Sequence, residues 1–227
     1  CHAVPGKWHV MGVMLSAAGS FQWYKNQFGM EEQRIEKEGG ANAYETLTKE
    51  AQQVIAGSEG LFFLPYLSGE RTPHPDPYAR GCFIGMSLRH QKKHHTRAVL
   101  EGVSYGLNDS LSMMKELGVN PNEIILSGGG SRSALWKQML ADIFATPCAM
   151  VNALEGAAYG AAILAAVGVG GFGSVQEACS SFIQKIETVD PGPNLEAYKR
   201  NYPIYKSLYP SLKTQFAKIA ESNAVNS

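Results

Sequence analysis

Apolar residues along the chain recur with two different periods, and the changes between them outline the elements. The stretch WHVMGVML (8–15) alternates like a strand, and SAAGSFQWYKNQF (16–28) continues into a helix for which Ser16 and Ser20 are both suitable starts. A polar stretch, residues 31–59, reads as a helical excursion. LFFLPYL (61–67) is strand-like but broken by Pro65, and the proline-rich SGERTPHPDPYARG (68–81) has no period and reads as an ordered loop. GCFIGMSL (81–88) returns to strand. RHQKKHH (89–95) follows as a solvated loop, and Leu100, Val103, Leu107, Leu111 and Met114 then mark a helix of about five turns ending at Gly118. The continuous run Ile124-Ile125-Leu126 predicts a strand buried on both faces.

Beyond it, Trp136, Met139, Leu140, Ile143 and Phe144 share one helical face, closed by Pro147, and CAMV (148–151) is a short strand. A helix of tiny residues from Glu155 to Val167, another over Ser174–Ile186 and a turn at DPGPN (190–194) lead to an amphipathic helical end. That end is marked by Tyr198, Tyr205, Leu208, Leu212, Phe216 and Ile219, with interruptions expected at Pro203 and Pro210 and a flexible tail over 222–227. From residue 81 onward the strand–helix alternation is that of a three-layer α/β domain.

Composition narrows the class. With 44% hydrophobic and 18% charged residues in 227, the chain can bury a core as one domain or two small ones. Twenty basic residues balance twenty acidic ones, so no bulk field draws the chain to nucleic acid or to a membrane surface, and an anionic ligand must be held locally. The four cysteines, Cys1, Cys82, Cys148 and Cys179, form no C-x-x-C pair and are read as reduced thiols of a cytoplasmic protein. CHAVPGKWHV lacks the pattern of a secretory signal. GAAYGAAILAAVGVGGFG (156–173) is too short and too rich in glycine for a membrane span, and reads as a buried helix.

The chemistry concentrates in SGGGSRSALW (127–136), three glycines between an apolar strand and a helix. A helix N-terminus over such a turn offers unpaired N–H groups and about half a positive charge, a ready anion site, and glycine lets a ligand approach the main chain. The alternative is a tight turn that needs no ligand. A dinucleotide-binding turn would want a third glycine where Ser133 stands and an acidic residue about 20 positions on, where the next strand ends at Asn152 with Glu155 beyond it. The phosphate-loop signature G-x-x-x-x-G-K-[ST] is absent. His90 and His94 have metal-like spacing but sit in the basic run. Glu70, Arg71, His74 and Asp76 are acid–base candidates for which a structural Arg71–carboxylate pair is the simpler reading.

LFFLPYLSGERTPHPDPYARGCFIGMSLRH, RAVLEGVSYGL and ILSGGGSRSALWKQMLADI together resemble the C-terminal half of the FGGY family of carbohydrate kinases, and the resemblance runs along almost the whole chain. The second family signature appears as Gly81-x-Phe83-x-Gly85-Met86 and then His94 through Ala98-Val99-Leu100-Glu101; His95 stands where an apolar residue is usual.

The resemblance implies an actin-like ATPase (ribonuclease H-like) fold with a mixed sheet, the C-terminal domain of a two-domain sugar kinase. It further implies that ATP, with Mg2+, and a ketose such as D-xylulose meet in the cleft between the domains. By position, Gly128, Gly129, Gly130 and Ser133 would contact the adenosine and α-phosphate end, with Ala18 and Gln22 opposite. The family's aspartate base and Gly-Thr-Ser phosphate loop belong upstream of Cys1. The expectation is therefore a nucleotide-side half that is inactive alone, with the sugar-binding domain and the first strands of this one outside it. Ribulose, gluconate and glycerol are alternative acceptors, a non-catalytic actin-like module is the alternative class, and a homodimer is compatible with the resemblance.

Overall fold

The computed structural model describes residues 1–153 and 156–224. Along the chain, α1 (Gly19–Phe28), α2 (Met30–Lys37) and α3 (Ala43–Ala51) precede β1 (Phe62–Leu64) and β2 (Cys82–Ile84). Then α4 (Lys92–Glu116), β3 (Ile124–Leu126), α5 (Ala134–Phe144) and β4 (Cys148–Val151) alternate. The end comprises α6 (Gly156–Gly168), α7 (Val175–Phe182), β5 (Lys185–Val189) and α8 (Leu195–Ala224). β1 and β2 form an antiparallel pair, and β3, β4 and β5 a mixed sheet in which β4 is central, parallel to β3 and antiparallel to β5. Among the described residues no helix is long and apolar enough to cross a membrane.

Helix α4 is the spine. Val99, Leu100 and Val103 are fully buried, and Gly102 lets β1 press against the helix: a Cβ there would sit 2.2 Å from the Phe63 carbonyl oxygen. The polar side of α4 is buried too. Arg97 and Glu101 pair at 2.7 Å, and Glu101 also accepts from Gly57 N–H, Ser58 Oγ and Tyr198 Oη, joining the loop before β1 to α8. Burial pushes the Glu101 carboxyl upward, while the Arg97 charge and the Gly57 and Ser58 donors work against that push.

Several expectations change in the folded chain. The basic run is not a solvated loop throughout: Lys92 to His95 form the first turn of α4, capped by Gln91, whose N–H donates to Nδ1 of the buried His94. The helix is therefore 25 residues long, not five turns. Residues 8–15 form no strand, because among the described residues their only ladder-like contacts are between Val13 and Thr72 and from Leu15 to the Glu70 carboxylate. β3 is not buried on both faces; it pairs with β4 alone among the described residues, and Ile125 is half exposed.

Helix α6 lies on the surface with only Ile163 buried, its small side chains giving it little to bury; its expected start at Glu155 lies outside the described residues. The helix expected over 174–186 stops at Phe182, and Lys185–Val189 pairs with β4 as β5. α8 runs uninterrupted through Pro203 and Pro210, since Tyr198, Tyr205, Tyr209 and Phe216 bury one face that outweighs two missing N–H donors. Residues 222–224 continue this helix, and the rest of the expected tail lies outside the described residues.

Candidate functional site

The glycine turn faces α1 and α3 across a cleft of about 570 Å³ lined by Ala18, Gly19, Phe21, Gln22, Asn42, Tyr44, Glu45, Thr48, Gly129, Gly130, Arg132, Ser133 and Trp136. The fold thus brings Ala18, Gln22, Gly129, Gly130 and Ser133 to one place, while Gly128 sits at the strand end of the turn, outside the lining.

The three glycines are glycines for different reasons. Gly128 has φ 83° and ψ −176°, a conformation that side-chain-bearing residues rarely adopt. A Cβ on Gly130 would stand 3.1 Å from the Trp136 ring, so indole packing explains its absence. Gly129 has neither reason: its φ is not in the left-handed range, and a Cβ would meet nothing within 4 Å among the described residues. Across the cleft, Gly19 at the start of α1 is free in the same two respects.

The turn is braced from within. Ser131 Oγ donates to the Gly128 carbonyl at 2.7 Å, and Ser133 Oγ accepts from Trp136 N–H as the cap of α5. Gly129 and Gly130 N–H groups find no partner among the described residues. Trp136 is fixed by its Nε1–H bond to Ser104 on α4 at 3.0 Å. Phe21 packs between Tyr44 (5.2 Å) and Trp136 (5.9 Å), and Lys25 Nζ lies 4.4 Å from the Tyr44 ring centre. The result is an aromatic floor under a polar rim. Such a site can take a flat, partly apolar ring system and, at the turn, an anion.

The α3 wall was not anticipated. Asn42 caps α3 by accepting from Tyr44 and Glu45 N–H, and the pattern Asn42-x-x-Glu45 is a legible helix start. Nothing local shows that this helix turns toward residues more than eighty positions away. Arg132, inside the quoted motif, also reaches the cleft.

The other candidates serve the fold. Arg71 is exposed and forms no carboxylate pair among the described residues; Glu70 accepts instead from the Leu15 and Arg71 N–H groups, and burial pushes its carboxyl upward. His74 stacks on Tyr209 at 3.8 Å, where burial lowers its pKa, and Asp76 accepts from Tyr209 Oη. His90 and His94 hold Ser87 and Gln91 N–H groups. Among the described residues no three His, Cys, Asp or Glu side chains converge to hold a metal ion.

Comparison with known proteins gives one consistent picture. Residues 2–169 match the FGGY family of carbohydrate kinases, C-terminal domain. The chain is 39% identical over 213 residues to xylulose kinase of Staphylococcus epidermidis, covering 93% of this chain and 41% of that protein. To gluconokinase of Bacillus subtilis it is 34% identical over 226 residues, 97% of this chain and 44% of that one. The crystal structure of a ligand-bound xylulose kinase from Lactobacillus acidophilus superposes with a TM-score of 0.79 at 28% identity, over 91% of this chain and 40% of that one. The chain therefore spans about two fifths of the length of the curated relatives it matches.

Proposed function

The chain belongs to the FGGY family of carbohydrate kinases, as its C-terminal domain, and from that premise we propose that it holds the nucleotide for phosphoryl transfer from ATP to a ketose, D-xylulose before others. Its α/β fold with a mixed sheet is the actin-like ATPase fold of these kinases. The observation that carries the proposal is Gly129, a residue without a side chain where neither packing among the described residues nor backbone conformation forbids one, beside N–H groups without a partner among the described residues at the entrance to α5. That leaves a close-approaching ligand as the reason. In this reading Gly128, Gly129, Gly130 and Ser133 form the turn against which the adenosine and α-phosphate lie, with Ala18 and Gln22 across from them.

Phosphoryl transfer asks the protein mainly for alignment and charge stabilisation. This chain's part is to fix the donor: the braced turn presents its N–H groups without reorganisation, and the aromatic floor under Trp136 and Phe21 gives a nucleoside a surface to rest on. Magnesium would enter with the phosphates, with much of its site supplied by the remainder of the longer polypeptide. The general base and most acceptor contacts come from the remainder of a longer polypeptide, so the isolated chain binds nucleotide but transfers no phosphoryl group. Closure of the two halves excludes water as a competing acceptor. The unpaired cysteines fit a cytoplasmic setting.

A phosphorylation assay of the longer polypeptide on D-xylulose, ribulose, gluconate and glycerol tests the acceptor. The highest kcat/KM on xylulose supports the proposal. A preference for gluconate favours the second reading, which the likeness to gluconokinase makes specific. Nucleotide binding without transfer to any acceptor makes the chain a non-catalytic module.

A further inference from the structure

Four polar side chains on the cleft lining have no hydrogen-bonding or ionic partner among the described residues: Gln22, Tyr44 through its hydroxyl, Glu45 and Arg132. The others are committed. Asn42 Oδ1 holds the first N–H groups of α3, Thr48 Oγ1 donates to the Tyr44 and Glu45 carbonyls, and Ser133 Oγ caps α5. Of these four groups, Glu45 is the one acidic side chain among the described lining residues, and it stands on the α3 wall; Arg132 stands on the wall of the glycine turn. A carboxylate only accepts hydrogen bonds and repels phosphate, whereas the turn and Arg132 attract it. The polarity of the cleft thus orients a nucleotide with phosphates toward the turn and its neutral donors toward α3.

We propose that Glu45 is a specificity-determining residue that accepts a hydrogen bond from a donor on the nucleoside, a ribose hydroxyl or the exocyclic amine of adenine, and that Tyr44 supports the same end of the ligand. This rests on the reading of the cleft as a nucleotide site and adds to it which wall reads the nucleoside. The Asn42 cap gives the device its precision: by holding the Tyr44 and Glu45 N–H groups it sets the direction in which the first turn of α3 presents both side chains. Glu45 is exposed and its carboxylate forms no hydrogen bond or ion pair among the described residues, so its removal is expected to leave the fold intact and to alter what enters the cleft.

The test compares kcat/KM for ATP, 2′-deoxy-ATP and ITP in the longer polypeptide, for the parent, Glu45→Ala and Glu45→Gln, with thermal melting of each. A ribose contact makes the parent prefer ATP over deoxy-ATP, and an amine contact makes it prefer ATP over ITP. Loss of a hydrogen bond to a charged acceptor corresponds to roughly tenfold or more. Glu45→Ala is expected to bring the larger ratio close to one with unchanged melting, and Glu45→Gln, which keeps an acceptor oxygen, to retain part of it. Ratios in Glu45→Ala equal to those of the parent overturn this inference while ATP turnover by the parent leaves the nucleotide reading standing. A parent that neither binds nor turns over ATP overturns both.

Discussion

Substituting the three glycines of the turn one at a time separates a ligand's requirement from the protein's own. Gly129→Val places a branched side chain where the folded chain has open space, so its effect on stability stays within about 0.5 kcal/mol, as for an ordinary surface change. It blocks the approach of a ligand to the Gly129 and Gly130 N–H groups. Two hydrogen bonds to a charged acceptor at about 1.5–3 kcal/mol each amount to a loss of roughly 10²–10⁴ in affinity. Gly130→Ala drives a methyl to 3.1 Å from the Trp136 ring, an overpacking cost of about 1–3 kcal/mol. Gly128→Ala forces a side chain at φ 83°, again about 1–3 kcal/mol. For a chain of this size each kcal/mol moves Tm by about 2–4 °C. Calorimetric titration with ADP and thermal melting of the three variants should show Gly129→Val folded and unable to bind, with Gly128→Ala and Gly130→Ala melting early. Affinity of Gly129→Val within twofold of the parent, or a melting loss in Gly129→Val as large as in Gly130→Ala, refutes the reasoning.

Two further predictions concern the interior. Asp109 is buried, accepts from Tyr202 Oη at 2.6 Å, and burial raises its carboxyl from 3.8 to about 6, corresponding to about 3 kcal/mol between the two protonation states. Because the folded value is the higher one, the stabilisation is fully present below pH 3.8 and is lost as pH rises through 6. In urea unfolding, Asp109→Asn should therefore match the parent near pH 4 and exceed it at pH 7; an equal difference at both values disproves the account. Glu101→Ala strands the buried Arg97 guanidinium, with an expected loss of about 3–5 kcal/mol in denaturant unfolding, and a loss below 1 kcal/mol would show that the pair is not what joins α4 to α8.

The sequence reveals most where a pattern is local. The apolar runs of β1, β3 and β4 and the helical face of Trp136 to Phe144 are readable because burial repeats with the period of the element. The start of α4 is not, because Gln91 and His94 form a capping box in a guise that basic composition disguises. Residues 8–15 alternate correctly yet form no strand, hydrogen-bonding only to Thr72 and Glu70 among the described residues, since alternation signals only a capacity to pair. At the site, the glycine motif is visible, but its three glycines look alike until Trp136 is in place and shows that Gly130 answers to an indole and Gly129 to nothing among the described residues. The α3 wall depends on long-range packing against α4, which no window of neighbouring residues contains.

The side of β3 that has no strand partner among the described residues carries a consequence for handling the chain by itself. A strand with one neighbour presents a row of free main-chain donors and acceptors, and a half-exposed isoleucine at its middle adds an adhesive spot. Concentrated preparations of this piece should tend to zip together along that rim, so light scattering belongs beside every titration made with it.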